Sequence, residues 1–144
     1  MICVSESFEI MIRTKSVYST IDHERDGLRV LVTRFRGRGL PKNRYDVWMA
    51  NLGPSEKLLR DFLSGQHSWA DFTRRYRREL FEMGSIDKKN VTIKNHGQKF
   101  TLRLLQGLGK SMTVTLMCHC GEDQQQCHRH ILKRVLRAKN LPVH

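Results

Sequence analysis

From Thr113 to Met117 the chain reads Thr-Val-Thr-Leu-Met, β-branched or apolar throughout, and shortly afterwards apolar side chains recur at Ile131, Leu132, Val135 and Leu136. The first pattern predicts a strand buried on both faces, and the second a helix from about Cys127 to Lys139 with one apolar stripe. A strand with no polar face has to be covered from both sides, which is the situation in a small, mostly parallel sheet flanked by helices. The expected fold is therefore an α/β domain.

The remaining segments supply partners for that pair. Leu28 to Val32, entered through the turn Asp26-Gly27, reads as a second strand, and Thr14 to Tyr18 is expected to pair with it. Tyr45-Asp46-Val47-Trp48-Met49 has no period that fixes its type. Pro54-Ser55 opens a helix with Ser55 as N-cap, Leu58, Leu59, Phe62 and Leu63 on one face, and Gly65 beyond its end. Ser68 and Asp71 have the spacing of a capping box, and Trp69, Phe72, Tyr76 and Leu80 carry a second helix to about Met83. The polar stretch from Gly84 to Lys99 reads as a long connection with a short strand at Val91 to Ile93. Phe100, Leu104, Leu105 and Leu108 predict a short helix closed by Gly107 or Gly109.

A chain of 144 residues holds one domain of ordinary size. Patterning begins near Ile12, so residues 12–144 are taken as the α/β domain and residues 1–11, with Cys3, as a flexible N-terminal extension. No apolar stretch approaches the roughly 20 residues a membrane helix needs. The start, MICVSESFEI, lacks a basic n-region and a sustained apolar core, so the expected compartment is the reducing cytoplasm, without disulfides.

Lys and Arg total 26 against 14 Asp and Glu, a net charge of +12 with Arg outnumbering Lys sixteen to ten. Such a balance favours polyanionic partners and says nothing about fold. Part of the charge is self-paired: Asp71 stands four before Arg75, Arg75 four before Glu79, and Arg78 four before Glu82. Gly107-Leu108-Gly109-Lys110-Ser111 imitates the end of a phosphate-binding loop, but Leu104 occupies the required glycine position and the segment precedes a strand.

The densest chemistry lies between strand and last helix. In CHCGEDQQQCHRH, residues 118–130, three of four cysteines and three of seven histidines are gathered. In open α/β sheets ligands sit beyond the carboxyl ends of strands, where helix N-termini present unpaired N–H groups and a partial positive charge. Cys118 ends the strand and Cys127 starts the helix. A thiol beside His128 and Arg129 at that point is a candidate for a lowered pKa; a buried, inert cysteine is the alternative. Thiolate and imidazole also suit zinc, with Cys118, Cys120, Cys127 and one of His130 or His128 as ligands. The C-x2-C knuckle is absent, and successive helical residues diverge.

Taken together, Ile12-Arg13-Thr14-Lys15-Ser16-Val17-Tyr18, Arg34, Arg38-Gly39, Asp46-x-Trp48, Pro54-Ser55, Trp69-x-x-Phe72 with Tyr76 and Glu79-Leu80, and Leu116-Met117-Cys118 followed by Cys127-His128-Arg129 form an ordered set. In it the chain, from Ile12 to about Leu136, resembles the domain of unknown function 488 family. The resemblance implies a small cytoplasmic bacterial or archaeal α/β domain, names no reaction, and carries over most directly to Cys118, Cys127, His128, Arg129, Arg34 and Arg38. Three positions depart from the family pattern. Arg36-Gly37 stands where a Trp-Pro pair precedes Arg-Gly, Thr33 where an Asp precedes the first arginine, and Cys120 where an acidic residue follows the first motif cysteine, with Glu122 and Asp123 displaced.

Three functions fit these residues. In the first, a phosphate-bearing ligand, a nucleotide or nucleic acid, is clamped by Arg34, Arg38 and Arg129 over the last helix N-terminus, with Cys127 or His128 supplying chemistry. In the second, a non-catalytic module binds nucleic acid through charge, with Phe35, Tyr45 and Trp48 as stacking surfaces. In the third, zinc stabilises a scaffold. No triad or carboxylate pair identifies a reaction, so the residues leave open whether the protein is an enzyme.

Overall fold

Val114–Cys118, here β4, is a strand in which all five residues are buried. The computed structural model, which describes residues 9–82, 98–138 and 141, sets it between β1 (Ile12–Ser16) and β2 (Leu28–Leu31), with the two-residue β3 (Val47–Trp48) beyond β2. All pairings are parallel; Thr14 and Val30 lie on either side of Leu116. The expected pairing of the first two strands is thereby corrected. β1 and β2 do not touch as neighbours, because β4, the more apolar strand, fills the interior position between them.

The pleat divides the strand residues between two unlike faces. Ile12, Val30, Val32, Val114 and Leu116 point into the main core, where they meet Leu58 of α2 (Glu56–Leu63), Phe72, Tyr76 and Leu80 of α3 (Trp69–Leu80), Leu102 and Leu105 of α4 (Gln98–Gly109), and the stripe Ile131, Leu132, Val135 and Leu136 of α5 (His128–Arg137). On the other face Leu31 and Met117 pack with Val17, Leu40 and Tyr45. Buried polar groups lie on that side too. Thr115 Oγ1 donates to Asp26 O at 2.6 Å, and the carboxylate of Asp26 accepts from Lys15 Nζ at 3.0 Å and Asp22 N at 3.0 Å. Asp26 closes the single-turn α1 (His23–Asp26). Gly27 follows with φ of 59°, where an added Cβ would lie 2.1 Å from Thr113 O, so this turn into β2 admits no side chain.

Capping follows the sequence reading. Ser55 Oγ accepts from Leu58 N and Ser68 Oγ from Asp71 N. Leu63, expected on the apolar face of α2, is 74% exposed. In α4 the expected stripe holds in part: Leu105 is buried and Leu108 packs on the core, but Phe100 and Leu104 are exposed and Leu102 is buried instead. The helix ends at Gly109, where an added Cβ would lie 2.7 Å from the Ile10 side chain and 2.9 Å from that of Ile12. Tyr45 to Met49 proves to be the edge strand β3 with a 3-10 turn on either side. The expected strand at Val91 to Ile93 lies outside the described residues. Ile10 packs on the main core and Met11 N donates to Gly109 O at 2.7 Å, so ordered packing reaches back past Ile12. No helix among the described residues is long and apolar enough to cross a membrane.

Candidate functional site

Because every strand runs the same way, Ser16, Leu31, Trp48 and Cys118 deliver their following loops to one edge of the sheet. The register carries Cys118 onto the face of Leu116, towards α5, and the chain then turns through residues 119–126 before Cys127 caps that helix. Strand end, loop and N-cap thus converge. The sulfurs of Cys118, Cys120 and Cys127 all lie within 4.8 Å of one another, with Cys118 and Cys127 at 2.9 Å. The three are close enough to share one metal ion. Only Cys120 has substantial solvent contact, since Cys118 is 1% and Cys127 3% exposed. Cys120 opens onto a shallow depression of about 410 Å³ bounded by Gly121, Asp123 and Gln124.

Sharing protons within such a cluster separates its members. The neighbouring thiols of Cys118, then Cys127, hold the Cys120 pKa far below the usual thiol range, against the effect of burial. The Cys120 contact raises Cys118, the Cys118 and Cys120 contacts raise Cys127, and burial adds to both.

Arg129 is the cation behind the cluster. Its Nη1 donates to Cys118 Sγ at 2.9 Å and to Cys120 O at 3.2 Å, and its Nη2 to Gly121 O at 2.9 Å and Glu122 O at 3.1 Å. Only 1% of the residue is exposed, so the loop is folded around the guanidinium. Glu122 fastens the same loop to β1 by accepting from Ser16 N at 2.7 Å and Ser19 Oγ at 2.6 Å. Burial alone would raise the Glu122 pKa; the bonds from Ser19 and Ser16 outweigh it and lower the value.

His128 is buried between sheet and helix. Its Nε2 donates to Val32 O at 2.6 Å, its Nδ1 lies 3.9 Å from Cys127 Sγ, and its ring meets Tyr76 edge-on at 5.7 Å. Burial lowers its pKa to about 4, leaving a neutral imidazole at neutral pH. His130 is outside the cluster, with Nε2 3.0 Å from Gln124 O.

The two other expected anion clamps have different fates. Arg34 is buried, directing Nε to Pro54 O at 3.0 Å and Nη2 to Gly53 O. The fit is close enough that a Cβ on Gly53 would lie 2.4 Å from Arg34 N. Arg38 is exposed and without a hydrogen bond or ion pair among the described residues. Around the rim, His119 lies between the Tyr18 hydroxyl at 3.4 Å and Phe35 O at 3.3 Å. Trp48 Nε1 donates to Thr33 O at 2.7 Å.

Cys118, Cys120, Cys127, His128 and Arg129 are thus brought together, and Arg38 and His130 are not. Sequence reasoning missed Glu122 and His119 as the residues that tie the loop to its neighbours. An acid four residues after a strand-ending cysteine was a usable signal; for His119 there was none.

The fold and the sulfur cluster define a parallel α/β domain with a cysteine centre at the carboxyl edge of its sheet. The family model DUF488-N3a, described as the active DUF488-N3 subclade, matches residues 12–140, and the chain belongs to the DUF488 family. No curated protein and no solved structure matches it.

Proposed function

We propose that the chain binds a phosphate-bearing ligand, a nucleotide or nucleic acid, over the carboxyl edge of its sheet, with the sulfur cluster as the chemical centre. The observation that carries this reading is the ledge made by His119. By contacting both Tyr18 and Phe35 it joins the end of β1 to the loop after β2, directly beside Cys118 and Cys120. Tyr18 is 64% and Phe35 45% exposed, which leaves two rings free to stack on bases, and a stacked base is worth about 1–3 kcal/mol. Arg38, on the loop after Phe35, is the cation available to phosphate. Arg34 and Arg129 serve as the walls of the site, because Arg34 Nε and Nη2 meet main-chain carbonyls and Arg129 Nη1 and Nη2 meet main-chain carbonyls and the Cys118 sulfur. Calorimetric titration of a nucleoside monophosphate and of sulfate tests the reading. Phe35→Ala should weaken the nucleotide roughly tenfold while leaving sulfate unchanged, and Arg38→Lys should weaken both. Equal affinities in wild type and both variants would move the ligand elsewhere.

A second reading, a zinc-stabilised centre, is favoured by the three sulfurs within 4.8 Å, since thiolates in such a group suit zinc. Reduced protein prepared without chelators should then contain about one equivalent of zinc, and chelation should lower its Tm. Metal-free protein of unchanged stability would end that reading.

A further inference from the structure

We infer that Cys118, Cys120 and Cys127 form a thiol–disulfide exchange site, in which Cys120 takes up a low-molecular-weight disulfide from solution and the oxidation passes inward to rest as a bond between Cys118 and Cys127. The inference rests on the sulfur cluster being the chemical centre of the protein and goes beyond that reading by naming a co-substrate for it. It does not depend on which phosphate-bearing ligand binds.

Exposure sets the direction. Cys118 and Cys127 are 1% and 3% exposed, whereas Cys120 is half-buried and opens onto the depression bounded by Gly121, Asp123 and Gln124. A disulfide arriving from solution therefore meets Cys120 first. All three are free thiols, and their sulfurs lie within 4.8 Å of one another, close enough for a bond to pass from one to the next by side-chain rotation. Cys118 and Cys127 are the natural resting pair. Their sulfurs are 2.9 Å apart and a disulfide is about 2.05 Å long, so bridging them closes the gap by only about 0.9 Å.

The chemistry needs three exchanges. The Cys120 thiolate attacks one sulfur of RS–SR, so that a bond from Cys120 to SR forms, the external S–S bond breaks and RS⁻ leaves. Cys118 then attacks Cys120 Sγ and expels the second RS⁻, and Cys127 attacks Cys118 Sγ and returns Cys120 as a thiolate. The protons given up by Cys118 and Cys127 end on the two RS⁻ groups. One RS–SR is thereby reduced to two RSH, and the buried pair supplies both electrons. Arg129 favours this order, because Nη1 donates to Cys118 Sγ at 2.9 Å and stabilises the negative charge that this sulfur carries when it attacks and again when it is displaced. Exchange with a disulfide asks for sulfurs alone. Cleaving a peroxide asks in addition for donors to its oxygens, and Nη1 and Nη2 of Arg129 are already committed to Cys118 Sγ and the carbonyls of Cys120, Gly121 and Glu122.

Reduced protein, freed of metal with a chelator, is mixed with bis(2-hydroxyethyl) disulfide, alkylated at intervals and mapped by mass spectrometry. Wild type should lose the Cys118 and Cys127 thiols together, as one bridged pair, while Cys120 stays open to alkylation. Cys120→Ser, checked for folding by circular dichroism, should bridge that pair at least about tenfold more slowly, and Cys127→Ser should stop with Cys118 joined to Cys120. A limiting amount of iodoacetamide should label Cys120 of wild type ahead of the two buried cysteines, a readout that holds even if neither variant folds. The inference is overturned by a pair that bridges equally fast without Cys120, by wild type that halts at the mixed disulfide or does not react, by bridging that requires urea, or by earlier labelling of Cys118 or Cys127. Nucleotide affinity retained by protein that does not bridge would leave the phosphate-ligand reading standing alone.

Discussion

Arg34 and Arg129 are the two largest side chains among the fully buried residues, and neither position was legible as such. Arginine in a strongly basic chain reads as surface charge; nothing in the sequence announces the carbonyls of Pro54 or of Cys120, Gly121 and Glu122 that receive their donors. What was legible was the density of sulfur and imidazole at residues 118–130, because that signal is local. Asp26 repeats the lesson on the other face of the sheet. The sequence marks it as half of a turn, whereas it is a fully buried carboxylate held by Lys15. Burial alone raises its pKa, but the bonds from Asp22 N and Lys15 outweigh burial and lower it. A carboxyl whose pKa falls on folding contributes stability that is complete above its unfolded value of about 3.9 and is lost as pH drops through the lower folded value. Asp26→Asn should therefore cost about 2–4 kcal/mol at neutral pH, since Lys15 is left without its partner. It should also flatten the decline of stability below about pH 4. Urea denaturation of both proteins across that range measures it, and parallel curves would mean that Asp26 is not the group titrating.

At the scale of elements, the helices with one unambiguous apolar stripe, α3 and α5, were readable, and so was the buried strand β4. Where two stripes compete, local pattern fails. In α4 Leu105 fits either stripe, and the competition is between Leu104 with Phe100 and Leu102; the end of the helix packs so tightly on Ile10 and Ile12 that position 109 has room for no Cβ. The order of the strands was equally out of reach, because parallel pairing joins segments far apart in the chain and leaves no local trace. The junction from α1 to β2 depends on Gly27 in the same non-local way, through Thr113 at the start of β4. Gly27→Ala brings a methyl group against Thr113 O in a backbone conformation side chains avoid, and should destabilise the fold by about 3 kcal/mol. Denaturant titration checks it; a loss under about 1 kcal/mol would show that the turn relaxes.

Over the whole molecule the net charge of +12 is not evenly answered. Lys57 pairs with Asp61 and Arg74 with Asp71, whereas Lys133, Arg134 and Arg137 have no ion pair among the described residues and line a groove of about 490 Å³ with Gln125 and His130. If nucleic acid is the ligand, these cations meet its phosphates, and affinity should fall steeply with salt. Replacing all three by Gln should flatten the plot of log affinity against log salt by roughly two to three units, as three fewer counterions are released. A slope equal to that of wild type in filter binding would exclude this face. The interior position of β4 has a further consequence, in the order of events during synthesis. Both β1 and β2 emerge from the ribosome long before residues 114–118, and until β4 enters between them each presents an unpaired edge that another chain can occupy. The cysteines travel with the piece that closes the gap, so the step that removes the aggregation hazard is the same step that brings the three sulfurs together.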